Sequence, residues 1–160
     1  MKDFRIGHGY DVHALGDGLR LVLGGVEIPH SKGCIAHSDG DVLIHSLCDA
    51  LLGAVAAGDI GLHFPDSDPR YKGIDSCKLL AEVCRIVREK GYEIGNTDST
   101  IAMQRPKLRP HIDDMRRRLA EVMAIDAERV SVKATTTERL GFEGEERGVS
   151  ATSSVLIFKG

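Results

Sequence analysis

Tryptophan is absent from this chain, and aromatic residues make up only 4% of it. A surface that stacks nucleic-acid bases needs such rings, so their scarcity argues against one. Positive charge is not in excess either: 21 Lys and Arg face 24 Asp and Glu, for a net charge of -3. Non-specific nucleic-acid binding calls for a basic face. No apolar run approaches the roughly 20 residues of a membrane-spanning helix, and the first residues, Met1 to Arg5, lack the apolar core of an export signal. Cys34, Cys48, Cys77 and Cys84 form no Cys-x-x-Cys pair. Without an export signal they read as reduced thiols of a cytoplasmic protein. The P-loop, His-Glu-x-x-His and Gly-x-Ser-x-Gly signatures are all missing.

What is present is an ordinary globular composition, 42% hydrophobic and 28% charged over 160 residues. A chain of that size reads as one domain, residues 1–160, and buries about two-thirds of its unfolded surface without disulfides. Glycine, 18 in all, punctuates short elements. Residues 4–13 read as a strand. Leu19–Leu23 and Val26–Pro29 flank Gly24-Gly25, a two-residue hairpin signal. Ser38 is placed as the cap of a helix, with Asp39 and Asp41 in its first turn and Val42, Leu43, Leu47, Ala50, Leu51 and Ala54 as its apolar face. A loop from Gly58 to Asp68 follows. Then come a helix from Asp75 to Lys90 capped by Gly91, a strand over 92–104, a mostly helical stretch from Lys107 to Ala124, and strands at Arg129–Thr135 and Val149–Lys159. That order predicts an α+β fold, a mixed or antiparallel sheet with helices on one face. The uncovered face, with small residues along the last strand, predicts a cyclic oligomer.

Chemistry-bearing residues concentrate in five places. On a strand, Asp11 and His13 point to the same side and can converge on one ion, with His45 from the first helix as a third ligand. Two imidazoles and a carboxylate are a common zinc set that leaves a fourth position open. Asp49, one turn after His45, is a candidate to orient it or a neighbour. By spacing alone, surface strand residues and a satisfied core histidine are the commoner account of these positions. His37-Ser38-Asp39-Gly40-Asp41 at a helix start can receive a phosphate or act as a plain cap. Thr135, Thr136 and Thr137 offer hydroxyls at a strand end, and Glu138 a ligand for Mg²⁺. Asp59, Asp66 and Asp68 can accept from polyol hydroxyls. Arg105-Pro106-Lys107 presents two cations on a stiff turn, suited to a diphosphate.

Together these stretches resemble the 2-C-methyl-D-erythritol 2,4-cyclodiphosphate synthase family. The likeness runs through Arg5 to His13, Ala36 to Val42 with His45, Gly58 to Gly61, Phe64 to Asp68, Pro106-Lys107, and Lys133 to Glu138 with Leu140 to Phe142. The resemblance implies a monofunctional homotrimer, its sheets packed around a threefold axis and its sites between subunits. It implies conversion of 4-diphosphocytidyl-2-C-methyl-D-erythritol 2-phosphate to the cyclic diphosphate and CMP. Asp11, His13 and His45 would bind Zn²⁺, and Glu138 would hold Mg²⁺ or Mn²⁺. His37 and Thr136 would stabilise the transition state. Val12 and Ser38 would also contact substrate. Asp59, Ile60 and Gly61, with Phe64, Pro65, Asp66, Ser67 and Asp68, would hold the methylerythritol. Met103, Gln104, Arg105, Pro106, Lys107, Leu108 and Arg109 would hold the cytidine diphosphate together with Thr135, Thr137 and Phe142.

The chemistry implied is consistent with those roles. The nucleophile is the substrate's own phosphate, already charged, so no protein base is needed. The obstacle is repulsion between phosphates, which two divalent cations would reduce. One stretch departs from the family. Where members usually read Thr-Gly-Arg-Gly-Glu-Gly, this chain reads Glu143-Gly-Glu-Glu-Arg-Gly148. The usual arginine position is Glu145, and the usual glutamate position is Arg147. The resemblance places them by a cavity on the threefold axis that takes isoprenoid diphosphates. The swap predicts binding there that is weaker or moved to Arg147. Two rival functions are a zinc phosphohydrolase that uses water and a non-catalytic isoprenoid-diphosphate sensor.

Overall fold

The computed structural model describes residues 3–160. Its main sheet has five strands in the order β4-β1-β7-β5-β6. These are β1 (Phe4–Asp17), β4 (Lys32–Cys34), β5 (Tyr92–Ala102), β6 (Val130–Thr135) and β7 (Gly148–Lys159). All neighbours are antiparallel except β5 and β6. A separate hairpin joins β2 (Leu21–Leu23) and β3 (Val26–Ile28). Helices α1 (Val42–Ala54), α3 (Ser76–Glu89) and α4 (Ile112–Met123) form a layer over one face of the sheet. The expected mixed sheet and α+β class are therefore present. No helix among the described residues is long and apolar enough to cross a membrane.

Strand alternation sorts the two faces. On β1, Gly7, Gly9, Asp11 and His13 lie toward α1, while Phe4, Ile6, Tyr10 and Val12 stand exposed on the other side, Ile6 at 81%. Gly7 and Gly9 are glycine because α1 lies directly on them. A Cβ at Gly7 would come within 1.8 Å of the Ala50 carbonyl oxygen, and one at Gly9 within 1.8 Å of the Ser46 oxygen. Beside this seam a buried hydroxyl chain links Ser99, Ser153 and Ser46 at 2.8 and 2.7 Å, and Ser46 donates onward to the Leu43 carbonyl at 2.9 Å. Small residues on both sides thus set α1 close to the sheet, and the helix carries His45 down to β1.

Several boundaries differ from those expected. Helix α1 starts at Val42 with Asp41, not Ser38, as its cap: Asp41 Oδ1 accepts from Ile44 N at 3.0 Å. Asp39 and Asp41 therefore precede the first turn. The same Asp41 carboxylate accepts from Gly24 N at 3.0 Å and Gly25 N at 2.7 Å, tying the hairpin tip to the helix start. Both glycines have positive φ, 60° and 72°, as a type I′ turn requires. Asp41 is fully enclosed, and burial pushes its pKa up to about 6 against the pull of those amides.

Strand β1 runs four residues beyond the expected His13, because β4, too short to show a sequence pattern, pairs with its end. The loop after Gly58 contains a one-turn helix, α2 (Ile60–His63), and α5 (Gly141–Gly144) is a second short turn the pattern did not reveal. Helix α4 begins at Ile112 rather than Lys107. Pro106 and Pro110 disfavour helix in the residues before them, and only a 3₁₀ turn forms over Arg109–His111.

Candidate active site

Three side chains from two elements meet at one point. His13 Nε2 lies 3.0 Å from Asp11 Oδ2 and 3.0 Å from His45 Nδ1, and His45 Nδ1 lies 3.1 Å from Asp11 Oδ2. Ligands of a tetrahedral zinc at 2.0–2.2 Å would stand about 3.3–3.5 Å apart. The observed triangle is slightly tighter, the size an ion opens by a few tenths of an ångström. Among the described residues it is the one group of three or more such ligands.

The charge balance favours a cation there. Burial alone would raise the pKa of Asp11, but the bonded imidazoles outweigh it and hold the carboxyl well below the usual range. For His45, burial disfavours the charged form, and Asp11 beside it shifts the pKa upward overall.

The outer ring nitrogen of His45 is also held. Its Nε2 lies 3.1 Å from Ser38 Oγ and 3.0 Å from Ser76 Oγ, and Ser76 Oγ lies 2.5 Å from Asp39 Oδ1. Ser76, the fully buried first residue of α3, escaped the sequence reading because its partner is 31 residues away. Asp49 does not orient His45 as expected. It accepts from Ile60 N at 2.8 Å and so fixes α2 instead. The His37–Asp41 segment is not an open phosphate cradle either, because Asp39 accepts from Asp41 N and Ser76 N, and Ser38 from Gly40 N.

The loop residues gather on this same side. His37 Nε2 is 3.4 Å from the Asp68 carbonyl, and His37 O accepts from Gly73 N. Asp59 caps α2 through Leu62 N, with Ile60 and Gly61 in its turn. Phe64 packs edge-on against Tyr71, while Pro65, Asp66 and Ser67 complete the turn with the two polar side chains exposed. Asp68 is already bonded to Arg70. Val12 is set apart: its side chain leaves on the open face, opposite Asp11 and His13.

The remaining expected residues form a second group. A cavity of about 310 Å³ is lined by Met103, Gln104, Pro106, Lys107, Leu108 and Arg109, with Ile112 and Val132 to Thr136 closing it. Met103 and Leu108 are mostly buried and serve as its floor. Arg105 is outside that lining and pairs with Glu146 at 2.9 Å. Thr137 Oγ1 donates to the Leu140 carbonyl at 2.6 Å, and Phe142 packs over Gly148. Glu138 is exposed, in the left-handed region with φ 55°.

The pairing His13↔Val149, Ser150↔Ala102 and Ala102↔Thr135 places the two groups at one end of the sheet. They are three strand spacings apart, about 14 Å.

The fold and the triad define an α+β protein with a metal-competent site at one end of a mixed sheet. The chain belongs to the YgbB family, whose model matches residues 4–158. A Porphyromonas gingivalis protein named 2-C-methyl-D-erythritol 2,4-cyclodiphosphate synthase is 60% identical over 156 residues, 98% of this chain and 96% of that one. The solved structure of a bifunctional IspDF from Campylobacter jejuni superposes with a TM-score of 0.96 at 43% identity, covering all of this chain and 43% of that longer one. A 2C-methyl-D-erythritol-2,4-cyclodiphosphate synthase solved in its CDP-bound form gives 0.89 at 40% identity, covering 96% of this chain and 99% of that one.

Proposed function

We propose that this chain converts 4-diphosphocytidyl-2-C-methyl-D-erythritol 2-phosphate into 2-C-methyl-D-erythritol 2,4-cyclodiphosphate and CMP. The observation that carries this reading is the 60% identity to a synthase of that name over nearly the whole chain, with the Asp11, His13 and His45 ligand atoms already converged. An oxygen of the 2-phosphate attacks the diphosphate phosphorus nearer the methylerythritol. The new P–O–P link forms as the bond to the cytidine-bearing phosphate breaks and CMP leaves with the electron pair.

Asp11, His13 and His45 fit Zn²⁺ by donor type and spacing. Bound there, it supplies Lewis acidity and positive charge beside the diphosphate. Glu138 would help hold Mg²⁺ or Mn²⁺ across the phosphates. His37 and Thr136 would donate to oxygens that gain charge in the transition state. The loop from Asp59 to Asp68 would seat the methylerythritol, and the cavity of Met103 to Arg109 the cytidine.

About 14 Å separates the two residue groups on one chain, a gap that a site shared between subunits would shorten. A homotrimer that buries Phe4, Ile6, Tyr10 and Val12 at the sheet's open face would bring one copy's β1 beside another's β6. Arg147, which would lie near that axis, pairs with Glu145 at 2.7 Å, and a partly cancelled charge there would weaken an isoprenoid diphosphate. Four free, buried cysteines suit a reducing cytoplasm.

The test is to incubate the metal-replete protein with this substrate and identify the products by mass spectrometry. CMP with the cyclic diphosphate is expected, and neither after chelation. A linear phosphate product would establish the hydrolase instead, and binding without turnover would establish the sensor.

A further inference from the structure

We infer that Asp39 and Ser76 act as a positioning pair that holds the Nε2 edge of His45 and so keeps Nδ1 aimed at the metal site. The inference rests on reading Asp11, His13 and His45 as metal ligands. Its ground is the direction of hydrogen bonds that meet at Ser76. The hydroxyl has one proton, and Asp39 Oδ1 stands 2.5 Å away. The short bond runs from the Ser76 hydroxyl to the Asp39 carboxylate oxygen, which accepts it. Asp39 is fixed in turn: its Oδ2 accepts from Ser76 N at 2.9 Å, and its Oδ1 from Asp41 N at 3.1 Å.

With its proton committed, Ser76 Oγ can only accept from His45 Nε2 at 3.0 Å. Nδ1 is the atom that faces Asp11 and His13. A cation bound there would take the Nδ1 lone pair and leave the ring proton on Nε2, where Ser76 accepts it. Ser38, 3.1 Å from the same Nε2, has no carboxylate to claim its proton, so it can meet the ring as donor or acceptor. The direction is set by Ser76. Its place as the first residue of α3, beneath the cap Asp75, holds the hydroxyl on a packed helix rather than a loop. An outer partner of this kind typically contributes 10–100-fold in metal affinity.

Three proteins decide the matter: the parent, Ser76→Ala and Ser76→Thr. Each is stripped of metal and titrated with Co²⁺, read by its visible ligand-field bands, and with Zn²⁺ against a competing chelator. Long-range nitrogen–proton NMR of the histidine rings in the Zn²⁺-loaded proteins reads which nitrogen of His45 carries the proton. The Zn²⁺-loaded parent is expected to hold His45 as the Nε2–H form. Ser76→Ala should bind metal about 10–100-fold more weakly, and Ser76→Thr should return to within a few-fold of the parent. A Zn²⁺-loaded parent with His45 protonated at Nδ1 overturns the inference without any variant. So does Ser76→Ala binding within twofold of the parent, or Ser76→Thr failing as badly as Ser76→Ala. A parent that takes up no Co²⁺ overturns the metal reading itself.

Discussion

Asp11, His13 and His45 bond one another beneath a helix buried along most of its length, whereas Thr135, Thr136 and Glu138 stand exposed at the end of an edge strand. The difference matches what each half would hold under the proposed function. A cation needs its ligand atoms set to within tenths of an ångström before it arrives, and burial together with a serine–carboxylate brace provides that. A nucleotide diphosphate is larger and brings its own charges, so hydroxyls at a strand end can close on it as it binds.

The largest effect that would break the contrast is at Gly9. Gly9→Ala drives a methyl into the Ser46 carbonyl and lifts α1 off β1. A loss of about 3 kcal/mol is expected, near the upper end for overpacking, or roughly 6–12 °C in Tm. Metal binding should fall with it. Thermal unfolding with Co²⁺ titration checks both, and an unchanged Tm would show that the helix can yield.

Next, single changes in each half should separate them. His13→Ala is expected to abolish metal uptake and turnover together. Thr136→Ala should retain metal and lower kcat by about 10²-fold, the typical effect of one lost transition-state donor. Parallel metal and rate measurements decide. Loss of metal from Thr136→Ala would mean the halves are not independent.

A smaller effect concerns pH and the brace around the triad. Asp41's pKa is raised to about 6 in the fold, from 3.8. Between those values the folded state binds more protons than the unfolded one, so this group's contribution is complete below about pH 4 and lost as pH rises through about 6. Relative to Asp41→Asn, the parent should lose stability over that window, read by denaturant titration at several pH values. A flat difference would show that the three amides keep the carboxyl ionised throughout.

The smallest effect is at the surface pair of Arg147 and Glu145. Arg147→Ala should weaken geranyl diphosphate binding by only a few-fold in calorimetry, as befits an exposed ion pair. Unchanged affinity would count against any role for Arg147.

The sequence made the long elements legible because their signals are local: alternation in β1, the glycine pair of the hairpin, and the apolar stripes of α1 and α3. Asp-x-His on a strand likewise showed that two ligands share a face. What it hid depends on approach in space. Ser76 and Asp39 are 37 residues apart and meet only because α3 docks beside α1. Asp49 looked like the orienter of His45 because one helical turn separates them, yet its carboxylate turns to the Ile60 amide. Ser38 looked like a cap because it precedes an apolar stripe, but Asp41 sits at the geometric position and reaches three amides.

Strand β1 works by parity. Its odd positions 7, 9, 11 and 13 serve the helix and the candidate ion site, and its even positions 4, 6, 10 and 12 face away. Inserting or deleting one residue early in the strand would exchange the two sets for every position beyond it. Ligands and outward apolar side chains would trade places in a single step. The strand can therefore drift in composition but not in length, and a one-residue change there would cost ion binding and the outer face together.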